Sequence, residues 1–467
     1  MAASSHRGLL YLVAVGLFMQ TLDGTIVNTA LPSMARDLGE SPFRMEMVVI
    51  AYMLTVALLM PASGWLADRF GTRRIYLLAI ALFTLGSFLC AESRSLGQLI
   101  ASRVVQGVGG ALLVPVGRLA VLRTFPRDEL LNALSIATMP ALLGPLLGPL
   151  LGGWLSEKVS WHWIFLINLP VGVLGLVLAR RFMPDFRDAT PTPFDLAGFL
   201  LFSISVTLVS LALEGMGELH ISHAFSLLLL VGGAGGLVAY WLHAVRKEQP
   251  LFNPELFRIN SYAVGILGNL FARLGAGGMP FLMPLMLQLG LQLSPVEAGW
   301  MMMPVALAAL CSKVLVSRIV DRFGYRRVLV SNTLLVGLLL MSFATVDART
   351  PRSLLMLQLF CFGACNGLQF TVMNTLTLKD LPESQASGGN SLLSVTMQLS
   401  MSMGVGIAAT LLSGFLRATN AVGVGGLTVF HPTFVCIGLL GVIASAVFLQ
   451  LDPRTSGRPD ARIVPSE

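Results

Sequence analysis

Fourteen apolar segments, each about as long as a membrane-spanning helix, set the strongest limit on what this chain can fold into. A helix needs about 20 largely apolar residues to cross the hydrocarbon core of a bilayer. The segments are 9–31, 46–67, 75–91, 97–122, 132–153, 162–182, 195–215, 223–245, 261–289, 297–317, 328–346, 353–378, 388–416 and 430–451. Only 12% of the residues are charged, about half the share in a soluble domain. The sequence therefore predicts an all-α polytopic membrane protein in the lipid bilayer.

Lysine and arginine lie mostly between these segments and predict the orientation of the chain. With an even number of spans, both termini lie on one side of the membrane. Of the 31 lysines and arginines, 20 fall on that side, 7 on the other and 4 within spans. Because cytoplasmic loops are enriched in these residues, we expect both termini in the cytoplasm. The net charge of +7 then needs no nucleic-acid partner.

The chain contains an internal repeat. Asp68–Arg74 recurs as Asp321–Arg327, and Ser41–Pro42 recurs as Ser294–Pro295, both at an offset of 253 residues. Two matches at one offset predict two related six-helix halves, an architecture typical of transporters. The expected domains are an N-terminal bundle at 1–182, an inserted pair of transmembrane helices with linkers at 183–260, and a C-terminal bundle with a short cytoplasmic tail at 261–467.

Four motifs, taken in order, resemble those of the major facilitator superfamily, in its fourteen-helix drug:proton antiporter group. The loop motif runs from Gly64 to Arg74 and the first-helix motif from Leu22 to Pro32. The fourth-helix motif comprises Arg103, Gln106, Gly107, Gly110 and Pro115, and the fifth-helix motif comprises Gly144, Gly148, Pro149, Gly152 and Gly153. The resemblance implies a major facilitator fold, with two six-helix bundles plus two extra central transmembrane helices, 14 in total. It also implies an exporter of the bacterial inner membrane.

The loop motif and its copy are interpreted as a conformational latch. Glycine lets the chain turn tightly, while the carboxylate can pair with a cation or cap a helix of the other half in one conformation only. The alternative is a basic loop that sets topology without switching. The candidate latch residues are Gly64, Asp68, Arg69, Gly71, Arg73, Arg74, Asp321, Arg322, Gly324, Arg326 and Arg327.

The fifth span contains a stripe of small residues. Gly144, Gly148 and Gly152 recur every four residues, which predicts a smooth face along which helices approach closely. Pro149 favours a bend. The resemblance assigns these residues, with Gly153, to a flexible seam that favours export. Tight packing alone is the alternative.

Asp23 is the one acid placed deep within a predicted span. An ionisable residue there is costly and marks a functional site by default, so Asp23 is a candidate for proton coupling. The alternatives are a permanent ion pair with an intramembrane arginine, or a helix cap. Arg103 shares a helical face with Gln106. The resemblance assigns Arg103 either to proton coupling or to a structural hydrogen-bond network.

Three further cations lie within predicted spans. Arg118 and Lys313 could line a central cavity or extend to the membrane surface, and Arg273 occupies the repeat position of Gln20. Four cations against one acid favour a neutral or anionic cargo. The candidate cavity and substrate residues are Gln20, Asn28, Gln106, Arg118, Arg273 and Lys313.

The predicted function is a proton-coupled antiporter that exports small organic or drug-like molecules by alternating access. One alternative is export of an endogenous organic anion, such as a citrate-type carboxylate or its metal complex, with little drug transport. Another is a membrane scaffold that transports nothing. The sequence carries neither a P-loop nor a metal-ligand cluster, so we expect no enzyme activity, no catalytic residue, no metal and no cofactor. The proton gradient is the expected driving force, and the expected working form is a monomer with a small-molecule substrate.

Overall fold

A computed structural model describes the chain at residues 2–126, 129, 133, 134, 136, 137, 139–188, 193–215, 223–418 and 426–451. Every regular element in these residues is a helix. Thirteen helical stretches, some of them made of two to four consecutive elements, are long and apolar enough to cross a membrane. A shorter apolar helix covers Leu196–Ala212. The predicted all-α fold class with fourteen helices is confirmed. The start of the predicted span 132–153 lies partly outside the described residues.

We group the helices by the two halves and the inserted pair that the sequence predicts. The N-terminal half contains α1 (Ala2–Leu38), α2 (Glu46–Leu59), α3 (Ser63–Phe70), α4 (Thr72–Ala91), α5 (Leu96–Thr124), α6 (Leu143–Lys158), α7 (Trp163–Leu166) and α8 (Asn168–Phe182). The inserted pair is α9 (Leu196–Gly215) and α10 (His223–Arg246). The C-terminal half contains α11 (Asn260–Ala276), α12 (Met279–Leu285), α13 (Pro295–Ser312), α14 (Val316–Phe323), α15 (Tyr325–Ser342), α16 (Arg352–Lys379), α17 (Glu383–Ala418) and α18 (Leu427–Ala444).

The second span of each half is broken at the same place in the repeat. A 3-10 turn at Met60–Ala62 separates α2 from α3, and residues 313–315 separate α13 from α14. The predicted spans 46–67 and 297–317 are therefore two helices each, and Lys313 lies in a break rather than in a continuous helix. Pro61 lacks the N–H that would continue the first helix. The second break has no proline, so a proline is not required for the bend.

The glycines that follow the two short helices have matching backbone conformations. Gly71 has a φ of 97° and Gly324 a φ of 76°, values that side chains with a Cβ rarely adopt. Each glycine turns the chain directly into the next long helix. The sequence repeat at Asp68–Arg74 and Asp321–Arg327 is therefore a repeat of structure. We call the end of the fold that carries these loops the motif end.

The predicted span 261–289 is also interrupted. α11 ends before Gly277 and Gly278, α12 follows, and a π-helical turn closes the span at Met286–Gly290. A Cβ at Gly278 would lie 2.6 Å from the Cβ of Ala408 in α17. The glycine pair thus lets this span approach α17 where its helix breaks.

The two halves are joined at the end opposite the motif end. Gln288 Nε2 donates a hydrogen bond to the Thr29 carbonyl oxygen over 2.8 Å. The Val296 N–H donates to a carboxylate oxygen of Glu157 over 3.0 Å. Beside these contacts α6 crosses α13, and Gly153 packs on the backbone of Pro295. Helices of opposite halves therefore meet at backbone distance.

The inserted pair packs on the joint between the halves. Phe202 of α9 and Tyr240 of α10 belong to a buried apolar cluster that includes Leu392 and Leu393 of α17, with Leu54 of α2 packed against it. Since α2 and α17 belong to opposite halves, the inserted pair contacts both halves.

Asp195 ties the inserted pair to the linker that follows it. Its carboxylate, 2% exposed, accepts hydrogen bonds from Lys247 Nζ over 2.8 Å and from the Leu251 N–H over 3.1 Å. His243 Nε2 lies 2.9 Å from the same carboxylate. Asp195 also accepts from the Gly198 N–H over 3.0 Å, which caps the start of α9.

Candidate functional site

Asp23 and Arg103 form an ion pair inside the N-terminal bundle. Arg103 Nη1 donates to Asp23 Oδ2 over 2.7 Å, and the two side chains are 1% and 0% exposed. Of the other acids buried in the described part of the chain, Glu46 and Asp195 lie at helix ends, whereas Asp23 lies well inside α1. The two sequence-predicted candidates for proton coupling are therefore in direct contact.

Amide and hydroxyl groups complete this network. Gln106 Nε2 and Asn168 Nδ2 donate to Asp23 Oδ1 over 2.8 and 3.3 Å. Both amides also donate to Ser87 Oγ, over 2.8 and 3.2 Å. Four helices, α1, α4, α5 and α8, thus contribute to one hydrogen-bond network around this carboxylate. We call Asp23, Ser87, Arg103, Gln106 and Asn168 the buried network.

Arg103 has further partners besides Asp23. Its Nε donates to the Val48 carbonyl oxygen over 3.2 Å, and its Nη1 donates to Gln106 Oε1 over 2.6 Å. The guanidinium carbon lies 4.3 Å from the ring centre of Tyr52, within reach of a cation–π interaction. Because these partners are neutral, they can hold the guanidinium even when the carboxylate carries a proton.

Gly86 permits the close approach of α4 and α5 at this site. A Cβ on Gly86 would lie 2.5 Å from the Cα of Gln106, closer than real Cβ atoms come. The next residue in α4, Ser87, thereby reaches the side chain of Gln106. The absence of a side chain at Gly86 therefore permits the hydrogen bond between Gln106 and Ser87.

The C-terminal half has a polar cluster with no carboxylate among its described residues. Arg273 Nε donates to Asn269 Oδ1 over 3.2 Å, while its Nη2 is buried without a hydrogen-bond partner. The guanidinium lies 4.8 Å from the ring centre of Phe370, whose side chain is 40% exposed. A small cavity beside Arg273, lined also by Thr333 and Gln369, has room for about one water molecule. Arg273 therefore keeps one donor unsatisfied.

The other cavity candidates are dispersed. Gln20 is half-buried with its Oε1 unpaired, and buried Asn28 donates to the Gly24 carbonyl oxygen over 3.3 Å. Arg118 and Lys313 are exposed, and neither pairs with an acid in the part of the chain that the structure describes. None of these four residues has a hydrogen bond to the buried network, although the side chain of Gln20 lies beside Tyr52.

The glycines of α6 serve two contacts. Gly144, Gly148 and Gly152 lie against α1, whereas Pro149 and Gly153 lie against α13. Thr25 Oγ1 donates to the Gly144 carbonyl oxygen over 3.1 Å. A Cβ on Gly152 would collide with the Ile26 carbonyl oxygen. One face of α6 therefore packs on α1 of its own half, and the adjacent face packs on α13 of the opposite half.

The first loop motif is bound within its own half. Arg123 Nη2 of α5 lies 2.7 Å from Asp68 Oδ1. Thr72 Oγ1 donates to the Pro184 carbonyl oxygen over 2.7 Å and accepts from the Phe186 N–H over 3.0 Å. We call the segment 183–188, which follows α8, the strap.

The strap makes further contacts with the same loop. Arg73 Nε donates to the Met183 carbonyl oxygen over 2.6 Å, and the Asp188 N–H donates to the Asp68 carbonyl oxygen over 3.1 Å. A Cβ on Gly71 would collide with a side chain of the strap. Arg69 lies 5.2 Å over the ring of Trp65, Arg74 is exposed, and Gly64 has open space beside it.

The second loop motif differs in its surroundings. Asp321, Arg322 and Arg327 are exposed, and Arg326 is half-buried. Arg322 lies 5.5 Å over the ring of its neighbour Phe323. None of these four charged residues has an ion-pair partner within the described ranges. The two copies are therefore alike in backbone and unlike in what covers them.

The sequence did not predict Ser87 and Asn168 of the buried network, nor Tyr52, whose ring lies beside Arg103. A serine or tyrosine in an apolar span carries little signal, because such residues are frequent there. Asn168 follows the second tryptophan of Trp161–Trp163 near the start of α8, and an amide at that place could have been proposed as a partner for Asp23. The strap has no sequence pattern that predicts its contact with Thr72.

The membrane-length helices and the buried ion pair are typical of a membrane transporter, and the family comparison shows which class of transporter this is. The Major Facilitator Superfamily model matches residues 13–405 and 265–464. The chain belongs to this family.

Curated relatives give a narrower similarity. The chain is 49% identical over 453 residues to the "Putative multidrug resistance protein MdtD" of Pectobacterium atrosepticum, covering 97% of each chain. It is 47% identical over 450 residues to the protein of the same name from Serratia proteamaculans, covering 96% of this chain and 94% of that one.

Solved structures support the fold alone. A D-xylose–proton symporter aligns with a TM-score of 0.68 at 14% identity, over 97% of this chain and 99% of that one. A POT family transporter in complex with 5-aminolevulinic acid aligns with a TM-score of 0.71 at 17% identity, over 96% and 97%. The family membership and the MdtD-type relatives identify the chain as a multi-pass membrane transporter rather than an enzyme, as predicted.

Proposed function

We propose that this protein is a proton-coupled antiporter that exports small organic or drug-like molecules by alternating access. The observation that carries the proposal is the buried carboxylate of Asp23, paired with Arg103 where four helices meet. An ionisable pair in that position is costly and is retained for a function. The names of the MdtD-type relatives support export of drug-like compounds.

The chemistry follows from the partners of the pair. When Asp23 takes up a proton, its attraction to Arg103 is lost, but the guanidinium keeps Val48, Gln106 and the Tyr52 ring. A protonated carboxyl can itself donate to a neighbouring oxygen. Protonation therefore changes the forces between α1 and α5 without stranding a bare cation. Such a local change can favour one of two packed arrangements of the bundle.

We further propose that the motif end faces the cytoplasm of a bacterial inner membrane, with both termini there. The charge bias of the loops supports this orientation. In that orientation the contacts of Thr29 with Gln288 and of Glu157 with Val296 close the outer end. In the same conformation Asp68 pairs with Arg123 of its own half and not with any described helix of the opposite half. We propose that the protein works as a monomer, without a cofactor, on the proton gradient alone.

The test is a paired measurement of proton and cargo flux. Protein in liposomes with an imposed pH gradient is compared with Asp23→Asn and with Asp37→Asn, a control in the same helix, where Trp161 Nε1 donates to Asp37 at 2.9 Å. We expect gradient-driven transport to disappear in Asp23→Asn and to persist in Asp37→Asn. Equal proton-driven flux in all three proteins would rule out Asp23 as the coupling group.

The unsatisfied guanidinium of Arg273 favours a second candidate, export of an organic anion. Its Nη2 is buried without a partner, and the geometry of a guanidinium matches that of a carboxylate. The cavity beside it holds only about one water molecule in this conformation, so an anion would bind there in a second, more open arrangement of the helices. The test compares Arg273→Gln with Arg181→Gln, whose guanidinium also lies over a ring, that of Phe182 at 5.5 Å. We expect Arg273→Gln to lose anion transport while keeping transport of a neutral compound. Good transport of monovalent organic cations, with none of anions, would contradict this candidate.

A further inference from the structure

The second loop motif lines an open groove at the motif end. The groove has a volume of about 1040 Å³ and lies between α14, α15, α16 and the turn after α18. Its charged lining residues are Asp321, Arg322, Arg326 and Arg327. Because none of them has an ion-pair partner among the described residues, the groove carries an uncompensated positive charge.

The first half shows what can occupy this position. There the strap lies on the loop and contacts Asp68, Gly71 and Arg73. The residues 253 positions later are Asp321, Gly324 and Arg326, and all three line the groove. No described segment of the chain crosses the second loop as the strap crosses the first.

The groove also has an apolar wall. Phe323, Leu335 and Leu449 line it and are 51%, 45% and 52% exposed. The groove thus places an apolar surface beside three arginines. A ligand that binds both surfaces needs an anionic group and a long apolar group. An anionic phospholipid matches both, because its phosphate suits a guanidinium and its acyl chain suits the wall.

We propose that this groove binds an anionic phospholipid, with the headgroup phosphate on Arg322, Arg326 and Arg327. One acyl chain would lie along Phe323, Leu335 and Leu449. Basic pockets between transmembrane helices on the cytoplasmic side suit such headgroups. The choice of leaflet rests on the orientation proposed above, whereas the site itself does not. One copy of the latch is thus held by the chain and the other by lipid.

The chain's own C-terminal segment fits the groove less well. The described residues end at Leu451, two positions after Leu449 of the groove wall, so the segment 452–467 is the competing occupant to consider. That segment contains as many arginines as acidic side chains. It therefore offers a cationic groove little net attraction, and charge complementarity favours the lipid.

The test measures lipid selectivity with a matched pair of variants. Protein in mixed bilayers is probed with spin-labelled phosphatidylglycerol and phosphatidylcholine, and the immobilised fraction of each is compared. Arg322→Gln/Arg327→Gln removes two groove charges. Arg69→Gln/Arg74→Gln removes the same charges at the same repeat positions of the first loop. We expect the preference for phosphatidylglycerol to fall by about fivefold per arginine in the groove variant, and to persist in the control.

Two results would overturn the proposal. The first is an equal preference for phosphatidylglycerol in both double variants, or an equal loss in both, since either means that the groove is no specific site. The second is efficient disulfide cross-linking between Ser331→Cys and Thr455→Cys in bilayers that contain phosphatidylglycerol. That cross-link would assign the groove to the C-terminal segment. Neither result depends on transport, so the proposed function stands or falls separately.

Discussion

Arg103 Nη1 lies 2.7 Å from Asp23 Oδ2, and the two residues are 80 positions apart in the sequence. Both side chains are closed to solvent. A buried pair of this kind links two helices by charge, and it makes each partner depend on the other. Transport and stability should therefore respond differently to single and double substitutions.

The first prediction is that Asp23→Asn and Arg103→Gln each destabilise the protein. Breaking a buried pair from one side costs about 3–5 kcal/mol. We expect Asp23→Asn to lie at the low end of that range, because Val48, Gln106 and the Tyr52 ring still hold the guanidinium. Arg103→Gln should cost more, because it leaves the carboxylate without a cation. The double variant should be more stable than the two single losses predict, and it should remain inactive. Thermal unfolding in detergent measures this coupling. Strictly additive losses would mean that the two side chains do not interact in the membrane.

The sequence predicted both members of the pair, and an ion pair with an intramembrane arginine was one alternative for Asp23, but the sequence did not show which arginine it would be. An acid and an arginine inside apolar spans stand out, because such residues are rare there. Their contact depends on the rotation of α1 and α5 about their axes, which composition does not fix. Asn168 and Ser87 join through the same rotations.

The outcome for the other cations follows a similar logic. At the repeat offset of 253 residues, Arg273 is equivalent to Gln20 and Lys313 is equivalent to Met60. The offset could not show that Lys313 lies in a helix break, because the matching break contains Pro61 and the second copy has no proline. Local sequence predicts a helix break only where it contains a residue, such as proline, that cannot continue the helix. Breaks without such a residue, such as the one at 313–315, are determined by tertiary packing.

The second prediction concerns the contact of α6 with α1. Gly152→Ala would place a methyl group against the Ile26 carbonyl oxygen, a backbone atom that cannot turn aside. We expect a loss of about 1–3 kcal/mol in unfolding free energy, together with a strong fall in transport. Gly414→Ala is the control, because open space surrounds that glycine. An unchanged unfolding temperature in Gly152→Ala would show that the two helices are not tightly packed.

The third prediction concerns the strap. Thr72→Val keeps the shape of the side chain but removes its hydrogen bonds with Pro184 and Phe186. Losing a bond worth about 1 kcal/mol should speed amide exchange at Phe186 by about fivefold. Hydrogen–deuterium exchange with peptide mapping measures the effect. Thr345→Val, which removes only a local bond to the Ser342 carbonyl oxygen, should leave that amide unchanged, and so a similar change in both variants would argue against the strap contact.

The fourth prediction concerns the tie between the inserted pair and the linker that follows it. Asp195→Asn removes the negative charge that binds Lys247 at 2.8 Å while leaving an oxygen that can accept from the Leu251 N–H. Hydrogen bonds to a charged group contribute about 1.5–3 kcal/mol, so the linker after α10 should open more often. We expect faster amide exchange at Leu251 and Phe252, and a smaller effect in Lys247→Met, where other donors to Asp195 remain. Asp347→Asn is the control, because that acid caps an exposed loop through the Arg349 N–H. Protection at Leu251 that is identical in Asp195→Asn and in the unmodified protein would mean that apolar packing of Phe202 and Tyr240, rather than Asp195, holds the pair in place.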